Sequence, residues 1–181
     1  MQTLDHDEAS ISIDAAPEVV YALVADVTRT PEFSPEILDC TWLDGATGPA
    51  VGARFKATNK SKPKRPSWTN KPVVTVADPG REFAFTRTEP FAGTILWRYR
   101  LEREGDRTRL TESYTVVKPI TRFGWFVIER VFGNPDRHGD LRSGMAETLN
   151  RLRLPRITDE TTRATKRPPA VTGGRPRDPC L

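Results

Sequence analysis

The sequence predicts an α+β domain in which a curved antiparallel sheet packs around a long C-terminal helix. Three features of the hydrophobic pattern lead to this prediction. An alternating segment near the N-terminus precedes two short helical segments, period-two segments fill the middle of the chain, and the period becomes helical after Pro119. Strands and helices that are segregated along a chain favour an α+β fold over a parallel sheet built from βαβ units.

The composition fits one globular domain with polar tails. The 181 residues are 36% hydrophobic and 29% charged, which allows a substantial core. No apolar run approaches the roughly 18 residues of a membrane span, and the acidic start MQTLDHDEAS lacks the features of a secretory signal. We therefore expect a cytoplasmic protein with a flexible N-terminus over 1–7, a folded domain over 8–154, and a disordered, basic, Pro- and Arg-rich tail over 155–181.

Charge and metal-ligand content argue against two classes of function. The chain has a net charge of +4, but residues 155–181 hold six Lys and Arg against three acidic residues, so the domain itself is nearly neutral. A nearly neutral domain does not indicate nucleic-acid binding. Cys40 and Cys180 are expected to be free thiols, and two Cys with two distant His predict no metal site.

The first elements are a strand and two short helices. Glu8–Asp14 alternates apolar and polar residues and is predicted to be a strand. Pro17 and the acidic residue after it suit the first turn of a helix, and an apolar stripe at helical spacing follows. Thr30-Pro31 ends this helix, and a second short helix or turn holding Phe33 ends at Ser34-Pro35.

Six further strands and a helical segment complete the predicted domain. The loop KSKPKRP is too charged and Pro-rich for a strand, and Asp78-Pro79-Gly80 is a strong turn. After Pro119, helices are predicted over Arg122–Phe132 and Leu141–Leu154, interrupted by Asn134-Pro135. The strands are predicted at Ile37–Leu43, Ala53–Asn59, Trp68–Ala77, Arg81–Thr88, Ile95–Glu102 and Thr108–Val117.

Three passages resemble the START-like superfamily, also called SRPBCC, and especially its polyketide cyclase/dehydrase branch. They are ISIDAAPEVVYALVADVTRTPEFSP, the hairpin LEREGDRTRLTESYTV and the closing helix HGDLRSGMAETLNRLR, which together span about Glu8 to Leu154. The resemblance implies a helix-grip fold whose sheet and last helix enclose a long cavity. It does not single out a function, because this superfamily contains carriers, ligand binders and a minority of enzymes.

Strand alternation predicts an aromatic lining for this cavity. Such a lining suits a flat apolar ligand, although each of these side chains could instead simply fill the core. The predicted aromatic and apolar lining residues are Trp42, Phe55, Phe83, Phe85, Trp97, Tyr99, Tyr114, Trp125, Phe126, Met145 and Leu149.

Three polar residues share the predicted inner face: Arg87, Glu112 and Tyr114. Because a buried charge needs a partner, we hypothesise that Arg87 and Glu112 pair in the cavity and that these groups or Tyr114 contact a ligand carbonyl or hydroxyl. The alternative is a structural pair near the rim of the sheet.

The favoured function is that of a binding or carrier protein for a lipid, polyketide, quinone or similar apolar molecule. The alternative is a small cyclase or dehydratase acting on a polyketide-like substrate, and a third reading is an interaction module that uses the basic tail. No catalytic residue, metal or cofactor is predicted, because no catalytic motif appears and His138 lies in a charged turn typical of a surface. The basic loop with Lys60, Lys62, Lys64 and Arg65 could rest on an anionic membrane surface, or be an ordinary solvated hairpin tip.

Overall fold

The computed structural model describes residues 4–60, 63–89, 93–133 and 136–153. Three α-helices and a 3-10 helix accompany the strands of this part of the chain. The helices are α1 (Pro17–Ala25), the 3-10 helix Val27–Glu32, α2 (Arg122–Arg130) and α3 (Arg137–Arg153). The strands are β1 (His6–Ile13), β2 (Ile37–Trp42), β3 (Phe55–Asn59), β4 (Trp68–Asn70), β5 (Val73–Asp78), β6 (Glu82–Glu89), β7 (Gly93–Glu104) and β8 (Arg107–Lys118).

The strands form two antiparallel sheets that meet at β5. The larger sheet has the order β1-β8-β7-β6-β5, and the smaller has the order β2-β3-β4. Backbone hydrogen bonds from Gly52 to Val74 and from Val74 to Ala53 join the start of β3 to β5. Register shifts within the β5–β6 and β7–β8 pairings are bulges, which increase the local twist of the sheet. The sheets therefore curve around the helices.

Two buried clusters hold the helices on the sheet. Pro17 begins α1, which buries Val20 and Val24 against a cluster that includes Phe83 and Leu110. The C-terminal helix α3 packs against β1 and β8, with Leu149 and Leu152 in this first cluster. A second cluster holds Leu4, Ile95, Tyr114, Trp125, Leu141 and Met145.

The α+β class and the helix-grip architecture are confirmed, including the two short helices after the first strand. Several element boundaries differ from the predictions. The first strand begins at His6, which pairs with Thr115, so residues 6 and 7 belong to the sheet and not to a flexible N-terminus. The helix after Pro119 ends at Arg130, and α3 begins at Arg137, four residues before the predicted start.

The predicted strand Trp68–Ala77 is in fact two strands that belong to different sheets. Pro72 lies between β4 and β5, and a proline has no backbone N–H to continue a ladder. The carbonyl of Pro72 instead accepts a hydrogen bond from Phe55 N, where the chain passes from the small sheet to the large one. The break at Asn134-Pro135, Lys62 and the tail over 155–181 lie outside the described residues.

Candidate ligand cavity

A partly enclosed cavity of about 90 Å³ lies between the sheet, the segment that enters β2, and α3. This volume is room for several water molecules or for part of a ring-shaped ligand. Its apolar wall is formed by Val24, Val27, Pro35, Ile37, Cys40, Phe55, Ala57, Pro72, Phe83, Phe85, Trp97, Leu141, Gly144 and Met145. Its polar wall is formed by Thr30, Ser34, Glu36, Asn59, Asn70, Arg87, Tyr99, Glu112, Asp140 and Thr148.

Strand register explains why the aromatic side chains meet. Phe83 pairs with Tyr99 and Phe85 with Trp97 on adjacent strands, so these side chains share one face of the sheet. Phe55 comes from the small sheet and packs edge-on against Phe85, with ring centroids 5.2 Å apart at 82°. Edge-on and tilted aromatic contacts of this kind are favourable and fix ring orientation. The result is a preformed apolar wall.

Tyr99 and Glu112 form a buried hydrogen-bonded pair on this wall. The hydroxyl of Tyr99 donates to Oε1 of Glu112 at 2.9 Å, because the two residues are opposite each other on β7 and β8. Burial raises the pKa of Glu112 to about 8, and the hydrogen bond from Tyr99 only partly opposes this rise. Glu112 is therefore mainly protonated at neutral pH. Within the described residues its Oε2 is buried without a hydrogen-bond partner.

Two ion pairs lie along a different part of the cavity wall from Tyr99 and Glu112. Glu36 accepts two hydrogen bonds from the Arg137 guanidinium, at 2.6 and 3.1 Å, and this pair joins the start of β2 to the start of α3. Burial alone would raise the pKa of Glu36, but the charge and hydrogen bonds of Arg137 outweigh it and lower the pKa. The distance from Nε of Arg87 to Oε1 of Glu89 is 3.4 Å.

The hypothesis that Arg87 pairs with Glu112 is wrong. Arg87 is opposite Ile95 on β7, whereas Glu112 is opposite Tyr99, four residues further along the same strand. At the rise of a β-strand this offset is roughly 13 Å, too far for an ion pair. Arg87 pairs with Glu89 instead. Burial has the largest effect on the pKa of the Arg87 guanidinium and lowers it.

Three residues of the cavity wall carry buried polar atoms that have no partner among the described residues. They are Oε2 of Glu112, Oδ1 of Asn70 and Oδ2 of Asp140. Buried polar groups in folded proteins are nearly always satisfied by protein, water or ligand. These atoms therefore mark positions where water molecules or polar substituents of a ligand can bind.

Eight of the thirteen predicted lining residues belong to the cavity wall: Phe55, Phe83, Phe85, Arg87, Trp97, Tyr99, Glu112 and Met145. The other five lie elsewhere. Trp42 packs edge-on behind Phe55, and Leu149 belongs to the first core cluster. Tyr114 and Trp125 belong to the second cluster. Phe126 is 57% exposed on the outer face of α2, because Trp125 is the aromatic residue that this helix turns inward.

Sequence patterns missed the polar residues that come from loops and from the ends of strands and helices. Asn59 and Asn70 flank the basic hairpin, and their burial could have been suspected only from their place at the ends of alternating segments. Glu36 stands alone between Pro35 and Ile37, and nothing in the sequence connects it with Arg137, 101 residues later. These pairings depend on the tertiary fold.

His138 does not belong to the cavity wall. Its Nε2 lies 3.6 Å from Oδ2 of Asp7 on β1, and its side chain is half exposed. No group of three His, Cys, Asp or Glu side chains that could hold a metal occurs within the described residues. In the same part of the chain, no helix has the length and apolar character needed to cross a membrane.

The fold and the cavity define a helix-grip protein with an aromatic-lined internal site. The chain belongs to the polyketide cyclase/dehydrase and lipid transport family, which matches it over residues 6–153. A search of curated proteins found no match.

One solved structure supports this assignment, and two more distant ones share the fold. The Polyketide_cyc-like protein Cgl2372 from Corynebacterium glutamicum is 33% identical, with 91% of this chain and 97% of that one covered and a TM-score of 0.53. The Zhui aromatase/cyclase from Streptomyces sp. R1128 is 18% identical over 90% of this chain and 96% of that one, with a TM-score of 0.59. The di-domain aromatase/cyclase StfQ of the steffimycin biosynthetic pathway is 12% identical over 87% of this chain and 51% of that one, with a TM-score of 0.67. The last two likenesses show the fold alone.

Proposed function

We propose that this protein binds or carries an apolar small molecule with polar substituents, such as a polyketide, quinone or lipid, in the cavity between the sheet and α3. The observation that carries the proposal is the buried Tyr99–Glu112 pair, set in an otherwise aromatic wall with Oε2 of Glu112 unsatisfied. A wall that is mostly apolar with a few fixed polar groups is typical of small-molecule sites.

The protonated carboxyl supplies the polar contact. Oε1 of Glu112 already accepts from Tyr99, so the proton resides on Oε2 and can be donated to a carbonyl or hydroxyl oxygen of the ligand. Asn70 and Asp140 offer acceptor oxygens for ligand hydroxyl groups on other parts of the wall. Phe55 and Phe85 provide ring surfaces for the apolar body of the molecule.

The second candidate is a small cyclase or dehydratase, and one observation favours it. A carboxyl group whose pKa is raised to about 8 can both give and take a proton near neutral pH, which is what general acid–base catalysis needs. One protein of similar fold, Zhui, is named an aromatase/cyclase. For this chain the distinction depends on whether a bound molecule reacts.

The first experiment is native mass spectrometry of the purified full chain, followed by titration with Prodan, a fluorescent naphthyl ketone. We expect a co-purifying molecule of defined mass, and saturable Prodan binding that this molecule displaces. Glu112→Gln preserves both the acceptor for Tyr99 and a donor toward the ligand, so Prodan affinity should remain within about threefold of the parent. Glu112→Leu removes the donor and should weaken binding by on the order of tenfold.

The same two variants separate binding from catalysis. Glu112→Gln cannot transfer a proton, so an enzyme would retain binding of the co-purified molecule and lose its conversion, whereas a carrier would behave like the parent. Equal affinity of the parent and Glu112→Leu, with both proteins folded, would refute the role of Glu112. Absence of any saturable Prodan binding and of any co-purifying molecule would refute the proposed function itself.

A further inference from the structure

The outer face of α2 is apolar and basic, and it is not used by the cavity. Phe123 is 56% exposed and Phe126 is 57% exposed, which is unusual for such large apolar side chains on a short helix. Arg122 and Arg130 are also exposed and stand four residues before and after Phe126, so all four side chains share one strip of the helix. The opposite side of α2 buries Gly124 and Trp125 against the domain. This helix is therefore anchored on one side and presents aromatic rings on the other.

The β3–β4 hairpin brings further positive charge to this strip. The guanidinium of Arg65 donates hydrogen bonds to the carbonyl oxygens of Arg130 and Val131, at 3.2 and 3.4 Å. These carbonyls lie at the C-terminal end of α2, where a cation is favoured by the helix dipole. Lys64 is exposed beside Arg65, and Val131 is 43% exposed. We call the strip Arg122, Phe123, Phe126, Arg130 with Lys64 and Arg65 the α2 surface.

We propose that the α2 surface docks the protein on an anionic membrane, with Phe123 and Phe126 inserted at the level of the lipid headgroups. Aromatic side chains flanked by Arg and Lys on an amphipathic helix are suited to lie in the interface of a bilayer with negatively charged lipids. Charge complementarity favours this occupant. The α2 surface has four basic side chains, whereas α2 carries one exposed acidic residue, Glu129.

The size of the apolar patch favours a bilayer over a protein partner. A stable protein interface buries about 800 Å² on each side, whereas two phenylalanine side chains provide at most about 500 Å² even when fully covered. A bilayer interface accepts single aromatic side chains without a complementary surface, so a small patch is sufficient there. A second copy of the chain or another protein would need contacts well beyond α2.

The β3–β4 hairpin connects the α2 surface to the cavity. Asn59 and Asn70 bracket the β3–β4 hairpin and line the cavity, while Arg65 and Trp68 of the same hairpin contact the end of α2 and Phe132. Docking would therefore bring this hairpin and its part of the cavity wall to the bilayer. This last step rests on the proposed function, since it gives an apolar ligand a short path between the membrane and the cavity.

The test is co-flotation of the full chain with phosphatidylcholine vesicles that contain phosphatidylserine, compared with pure phosphatidylcholine. We expect binding to the anionic vesicles that weakens with salt. Phe123→Asp/Phe126→Asp should lower the partition coefficient by on the order of tenfold or more, and Arg122→Gln/Arg130→Gln by about fivefold for each charge removed. Val51→Asp is the matched control, because Val51 is 70% exposed and lies beyond the opposite end of β3, and it should bind like the parent.

Several results would overturn the proposal. One is equal vesicle binding by the parent and Phe123→Asp/Phe126→Asp, since the attraction would then come from elsewhere in the chain, such as its basic C-terminal residues. Another is failure of the parent to bind anionic vesicles. A third is self-association of the parent that the double variant abolishes, which would assign the surface to a second copy. Circular dichroism confirms folding, and Prodan titration without vesicles should be unchanged, so failure of docking is separable from failure of the cavity.

Discussion

The hydroxyl of Tyr99 donates a 2.9 Å hydrogen bond to the carboxyl group of Glu112, and both side chains are buried on the wall of the cavity. A carboxyl group in such a place keeps its proton at a pH where exposed glutamates have lost it. The pair thus combines two hydroxyl groups, one on the phenol ring and one on the acid, within an aromatic wall. We therefore expect the stability of the fold to depend on the protonation of Glu112.

The first prediction concerns the pH dependence of stability. The folded-state pKa of Glu112, about 8, lies above the ordinary value of 4.5, so the contribution of this group is fully present below about pH 4.5 and is lost as the pH rises toward 8. Glu112→Gln removes that loss. The difference in the free energy of unfolding between Glu112→Gln and the parent should therefore grow by up to about 1.4 kcal/mol per pH unit in this window and level off above it. Urea unfolding of both proteins across the window measures this, and a difference independent of pH would contradict it.

The second prediction separates Tyr99 from Glu112. Tyr99→Phe removes the hydrogen bond that partly lowers the pKa of Glu112, so this pKa should move further above about 8. The pH at which stability stops falling should then be higher than in the parent. The variant should also be less stable at all pH values by about 1–3 kcal/mol, because Oε1 of Glu112 loses its donor. An unchanged pH profile would show that the hydrogen bond does not affect the titration.

The third prediction concerns the ion pair that connects β2 to α3. Glu36 and Arg137 make two hydrogen bonds, and the Arg137 side chain is only 6% exposed. Removing one partner of a buried pair typically costs about 3–5 kcal/mol, whereas replacing both by neutral groups costs less. Arg137→Met should therefore be more destabilising than Glu36→Gln/Arg137→Met.

Acid titration checks the same pair. The folded-state pKa of Glu36 is depressed below 4.5, so the stability it contributes is present above that value and is lost as the pH falls through the folded-state pKa. The parent should lose stability in this acid range more steeply than Glu36→Gln/Arg137→Met. Parallel acid unfolding curves for the two proteins would indicate that the pair does not stabilise the fold.

The fourth prediction is that one substitution at Gly144 raises stability and lowers ligand affinity. This residue lies inside α3 and on the cavity wall, and a Cβ atom there would meet Pro35 at an ordinary contact distance of 4.0 Å. Alanine is favoured over glycine in a helix by up to about 1 kcal/mol, so Gly144→Ala should raise the free energy of unfolding. The added methyl group narrows the cavity, so Prodan affinity should fall at the same time. A stabilised variant with parental affinity would place the ligand away from α3.

The aromatic half of the site could be predicted from the sequence because strand alternation assigns side chains to faces. Alternation assigns Phe83, Phe85, Trp97, Tyr99 and Glu112 to the inner face, and all five lie on the cavity wall. Alternation does not reveal the register between strands, so it could not show that Glu112 meets Tyr99 and not Arg87.

Helical pattern gave less information than strand pattern about the site. In α2 the apolar residues Phe123, Trp125 and Phe126 surround most of the helix, and the sequence does not decide which of them faces the domain. The choice of Trp125 follows from its packing against Leu141 and Met145 in the second core cluster, which is a tertiary effect. Loop residues such as Glu36 have no period at all. Their role can be recognised only when the fold brings the ends of distant helices and strands together.

The proposed function requires a ligand that occupies the cavity between the sheet and α3, and filling that space tests it most directly. Ala57 lies on the cavity wall and is buried, so Ala57→Leu places additional carbon atoms where the ligand would lie. Leu38→Trp, on the exposed side of β2, is the control for added bulk outside the cavity. We predict that Ala57→Leu remains folded and loses at least tenfold in Prodan affinity, as measured by fluorescence titration, while Leu38→Trp binds like the parent. Equal Prodan affinity for Ala57→Leu and the parent would contradict the proposal that the cavity is the ligand site.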